Sequence, residues 1–97
     1  MRKDPKIVEP YKKELVEIMA LMAEDKRALS DFLGDILTVA EYREIATRWQ
    51  IMKQLKAGKT QREIAKELGI GLATVNRGVR TLLNPAGGFN QALRKIR

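Results

Sequence analysis

Between Thr60 and Leu83 runs the segment TQREIAKELGIGLATVNRGVRTLL, in which each position has a physical task. Thr60 and Glu63 are spaced as a capping box, the hydroxyl taking the amide of residue 63 and the carboxylate that of residue 60. Ile64 and Leu68 fall one turn apart on an inner face, with Ala65 small enough to let a second helix cross closely. Gly69 suits the left-handed conformation that ends a helix, and Gly71 loosens the turn that follows. The next helix places Leu72, Val75, Val79, Leu82 and Leu83 on a buried stripe at spacings of three and four. That leaves Ala73, Thr74, Asn76, Arg77, Arg80 and Thr81 outward or at the edge. Two short helices joined by a glycine turn are the layout of a helix-turn-helix, the unit that carries one helix into the major groove of DNA.

The charge distribution agrees with a polyanionic partner. Up to Gly58 the chain holds 11 Lys/Arg against 10 Asp/Glu; from Lys59 onward it holds 8 against 2. A neutral half followed by a basic half that contains the motif implies nucleic acid more strongly than charge alone. There is no cysteine and no histidine, which removes disulfides, thiol nucleophiles, imidazole bases and ordinary zinc sites. With no phosphate loop either, the expectation is that the protein is not an enzyme. No apolar run approaches the ~18 residues of a membrane span and no secretory segment is recognisable, so a soluble, cytoplasmic protein without a membrane partner is expected. Ninety-seven residues with only two Tyr, two Phe and one Trp make one small domain whose Leu, Ile, Val, Met and Ala core a second copy would complete.

Along the chain the pattern is helical throughout, with no strand signal. Residues 1–9 show no periodicity and are expected to form a mobile arm. Pro10 suits the first turn of a helix reaching residue 22, with Leu15, Ile18, Met19 and Met22 as its stripe. Glu24 to Arg27 reads as a turn or fraying end, and Ser30 or Asp31 as the cap of a short helix containing Phe32, Leu33 and Ile36. Thr38 and Glu41 make a second capping box, opening a helix over 39–57 whose inner face is Tyr42, Ile45, Ala46, Trp49, Met52 and Leu55. Gly58 ends it. Beyond the motif, Asn84-Pro85 stops the second helix, Gly87-Gly88 forms a joint, and Phe89 to Ile96 makes a last short helix. The expected architecture is therefore all-α with about six helices: core and dimerisation helices over 10–58, the helix-turn-helix over 60–83, and a turn and short helix over 84–97.

Taken together, Leu37-Thr38, Thr47-Arg48, Gln61-Arg62-Glu63 and Ala73-Thr74-Val75-Asn76-Arg77-Gly78 resemble the tryptophan repressor superfamily over about residues 32–83. The resemblance implies an intertwined homodimer that presents two helix-turn-helix heads to a palindromic operator. It also implies a corepressor, L-tryptophan or another small ligand, between the motif and the core. The ring would lie between Arg48 and Arg77, with Thr38 at the pocket mouth and Gly78 leaving room beside it. Three departures set this chain apart from the tryptophan-binding members. Arg80 stands where they carry a serine, and a guanidinium there repels an ammonium group. Asp35 replaces an apolar residue, and the loop between Gly58 and Gln61 is shorter by one. The ending after Asn84 is closer to the repressor-like branch whose ligand is unassigned, so weak or no binding of L-tryptophan is expected.

The resemblance makes Arg62 a base or phosphate contact and Lys66, one turn on, a phosphate contact. Gln61 either donates to a phosphate or faces water. Leu72, Ala73 and Asn76 take the groove-facing positions, with apolar contact to thymine methyls from the first two and pairing of Asn76 with adenine N6 and N7. Leu72 serves equally well in the core. Thr74 either meets a phosphate or bonds back to the preceding turn. For Arg77 the choices are DNA, ligand or solvent, and for Arg80 a DNA phosphate is favoured. Arg48 either holds the ligand or pairs with Asp35 or Glu44. The reading is a homodimeric transcriptional repressor that binds double-stranded DNA. The alternative is a helix-turn-helix module that binds RNA or a protein such as RNA polymerase.

Overall fold

In the computed structural model, which describes residues 4–96, six helices and no strand are present among the described residues. They are α1 (Pro5–Met22), α2 (Lys26–Ile36), α3 (Val39–Lys56), α4 (Gln61–Leu68), α5 (Leu72–Leu82) and α6 (Gly88–Lys95). The all-α, six-helix expectation holds. Contacts divide the chain between Tyr42 and Arg43 into two compact units.

In the first unit α1 and α2 pack on each other. Two starts differ from the sequence reading. Residues 5–9 are not an arm but the opening turns of α1, because Asp4 accepts the amide of Lys6 at 2.8 Å and Pro5 occupies the first helical position. Aspartate followed by proline is a stronger start signal than Pro10 alone, and Pro10 sits inside the helix, where it costs one backbone bond. The rest of the expected arm, residues 1–3, lies outside the described residues. Likewise α2 starts at Lys26 because Asp25 caps it through the amides of Arg27 and Ala28, ahead of Ser30 and Asp31. Neither helix contains a buried residue.

The box at the start of α3 is formed: Glu41 accepts from the Thr38 amide at 2.8 Å, and Thr38 Oγ1 from the Glu41 amide at 3.1 Å.

The second unit has a core of its own, made of Ile51, Met52, Ile64, Val75 and Leu93, with Trp49, Leu55, Ala65, Leu68, Ile70, Leu82 and Phe89 packed around it. The inner face assigned to α3 needs correction. Ile51, left off it, is 1 % exposed, while Ile45 and Ala46, placed on it, are exposed. Gly78 explains the change. A Cβ there would lie 2.5 Å from Met52 Cε and 2.9 Å from Ile51 Cγ2. Its absence lets α5 come close enough to bury both neighbours, where a simple stripe assigns only one. Against the same core the Trp49 and Phe89 rings stack with centroids 6.5 Å apart.

Candidate nucleic-acid interface

The motif forms as its residues dictate. Thr60 Oγ1 accepts from the Glu63 amide at 3.1 Å and Glu63 accepts from the Thr60 amide at 3.0 Å. These contacts hold the Glu63 carboxyl below its usual pKa, the Thr60 backbone amide being the main cause and its hydroxyl the next. Gly69 ends α4 at φ 66°, and its successor Ile70 donates back to the Ala65 carbonyl. Gly71 caps α5 from extended backbone without a side-chain bond. Ile64 and Val75 close the angle between the two helices from inside, each fully buried.

With those side chains turned inward, the opposite edge of α5 is open. Leu72, Ala73, Thr74, Asn76, Arg77, Arg80 and Thr81 are all exposed. Six residues from the motif, Gln61, Leu72, Ala73, Asn76, Arg77 and Arg80, line one open concavity of about 400 Å³. Every one of them stands among the sequence-derived DNA contacts. Its only charges are two guanidinium groups, and neither pairs with any described carboxylate. Arg62, Lys66 and Thr74 are exposed but lie outside the lining. Leu72, 48 % exposed, leaves the core stripe for the concavity, and Leu83, 75 % exposed, leaves it altogether. Both sit at ends of α5, beyond the reach of the α4 packing.

Gly78 sits where α5 meets α3. Met52 Cε and Ile51 Cγ2 lie where a Cβ on it would go, so its lack of a side chain serves the close approach of the helices. Arg48 is exposed and donates from Nη2 to Glu44 Oε1 at 2.8 Å, the pairing that competes with a ligand role. Thr38, in the first unit, is engaged in its capping box.

Sequence reading missed what holds the far end of α5. Asn90 Nδ2 donates to the carbonyls of Leu82 at 3.1 Å and Asn84 at 2.8 Å, and Arg94 Nη1 donates to that of Pro85 at 3.0 Å. The signal is the polar series Asn90, Gln91, Arg94 on the last short helix, directly after the glycine joint.

Comparison with known proteins places the chain among relatives. A family model described as Trp repressor protein matches residues 12–97. Trp operon repressor homologs of Chlamydia trachomatis serovars L2 and D are each 32% identical over 71 residues, covering 72% of this chain and 76% of theirs. That of Chlamydia caviae is 34% identical over 70 residues, covering 71% and 69%. No solved structure matches the chain. No helix among the described residues is long and apolar enough to cross a membrane.

Proposed function

Because the chain belongs to the Trp repressor family, we propose that it is a sequence-specific DNA-binding transcriptional repressor that acts as a homodimer on a palindromic operator. The observation that carries this reading is the gathering of Gln61, Leu72, Ala73, Asn76, Arg77 and Arg80 around one open, positively charged concavity on the motif. A surface that presents carboxamides, methyl groups and guanidinium groups together matches the donors, acceptors and methyls on base edges and the phosphates beside them.

In this function Arg62, Lys66, Thr74, Arg77 and Arg80 meet phosphates and supply most of the affinity, which falls steeply with salt. Leu72, Ala73 and Asn76 read bases. Two copies, related by a twofold axis, set their α5 helices about 34 Å apart, one turn of duplex. The apolar surface of the first unit supports that dimer: Leu21 and Val16 stand 62% and 67% exposed in a single chain. The orientation of α5 is supported by the core beneath it, with Met52 and Ile51 against Gly78.

Selection of bound duplexes from a random pool tests the proposal, with expected enrichment of a palindrome and light scattering giving the mass of two chains. Lys66→Ala should then weaken operator and unrelated DNA alike and flatten the slope of log affinity against log salt by about one. A pool that yields no consensus, or a preference for RNA over duplex DNA, would instead favour the interaction-module reading.

A further inference from the structure

One contact in the concavity joins the two helices of the motif. Asn76 Nδ2, on α5, donates to Gln61 Oε1, in the first turn of α4, at 3.5 Å. A carboxamide carries two donor hydrogens on nitrogen and an acceptor oxygen. With one hydrogen directed to Gln61, Asn76 keeps its second hydrogen and its oxygen, and these complement the N7 acceptor and N6 amino group on the major-groove edge of adenine. The torsion that sets an asparagine amide is broad and nearly twofold. An exposed Asn76 without a neighbour would therefore present donor and acceptor in either order. With Gln61 Oε1 turned toward it, as here, Asn76 presents one order; in the flipped amide two oxygens would face each other unless the Gln61 amide turned as well.

We propose that Gln61 and Asn76 act as one reader of an adenine, with Gln61 a positioning residue that determines specificity rather than a phosphate contact. Leu72 and Ala73, on the same concavity, supply apolar surface for thymine methyls, so the step read is A·T. This inference rests on the DNA-reading function proposed above and adds a second residue, on a different helix, to base discrimination.

The test uses the full chain and the duplex enriched by it from a random pool, with every base pair of one half-site then varied singly. The wild-type protein should prefer adenine at one position per half-site by about 5- to 100-fold. Gln61→Leu, which keeps the length and removes the acceptor, should reduce that preference at least about fivefold at the same position while leaving the salt slope unchanged. Gln61→Glu keeps an acceptor and should retain the preference at lower overall affinity. The Gln61→Leu/Asn76→Ala double variant should discriminate no worse than Asn76→Ala alone, since both remove one unit. Far-UV circular dichroism should be alike for the wild type and all four variants. The inference is overturned if Gln61→Leu acts at another base pair, if it lowers the salt slope with base preference intact, or if the two effects multiply. It is overturned alone if a consensus appears that Asn76→Ala does not alter, and together with the repressor reading if no consensus appears.

Discussion

The chain up to Tyr42 and the chain from Arg43 onward are built on opposite terms. The later unit closes a core within itself, with Ile64 and Val75 fully buried and Ile51 and Met52 nearly so. The earlier unit buries none of the residues of α1 or α2, although its helices carry Ile7, Tyr11, Leu15, Val16, Ile18, Leu21 and Ile36 in exposed positions. Charge divides along a similar line, near balance in the first 58 residues and strongly basic after them. At roughly 25 cal/mol per Å² of apolar surface left in water, such a helix pair is a poor structure on its own and a good one when covered. The comparison teaches a division of labour: one region closes a core within a single chain and carries the excess of basic residues, the other leaves apolar helix faces open to the second copy proposed above.

Changes to the core of the later unit should have the largest effect. Ile64→Ala is expected to cost about 2–5 kcal/mol, since it empties a fully buried site against α5. A shift in the urea midpoint measures it, and a cost below ~1 kcal/mol would mean that the core is looser than its burial indicates. Leu21→Arg provides the contrast in the earlier unit. It adds a charge to a surface that one chain leaves open, so it should disrupt the pair and bring the light-scattering mass to that of one chain. If the mass stays at two chains, the proposed dimer surface is misplaced. Gly78→Ala should destabilise by about 1–3 kcal/mol, because the added methyl meets Ile51 and Met52, with calorimetric unfolding as the measurement.

The smallest effect separates the two capping boxes, one on each side of the division. Glu41 and Glu63 both have folded pKa values below the usual 4.5, each chiefly through the backbone amide of its capping threonine. A lowered folded pKa means that the unfolded chain binds more protons, so this stabilisation is present above pH 4.5 and is lost as pH falls through the folded values. Glu63→Gln should flatten the acid side of the stability profile in part, and the double change with Glu41→Gln should flatten it further. A profile unmoved by both would show the boxes to be open in solution.

Much of this was legible because the relevant forces are local. Capping boxes act over three residues, and both were found where Thr-x-x-Glu stands; Gly58 and Gly69 both take positive φ where each was expected to end a helix. The outward set of the motif followed from helical period alone. Helix starts were less legible: Pro10 suits a first turn but Asp4-Pro5 opens α1, and Asp25 caps α2 ahead of Ser30 and Asp31. Ile51 was missed because period 3.6 assigns a helix one stripe, whereas a glycine on the facing helix widened it. The Gln61–Asn76 contact bridges fifteen positions, and no periodic signal reports which side chains meet across a turn.

Asn90 carries a consequence for motion. By gripping the carbonyls of Leu82 and Asn84, it moors the rear of α5, whereas the leading half, with no capping side chain, is tied to α4 through buried Val75 and the Asn76–Gln61 contact. The two ends thus answer to different neighbours, the heel to α6 and the toe to α4, and Leu72, Ala73 and Asn76 ride on the toe. A tilt of α4 would carry that tip with it, while the stern keeps its bearing.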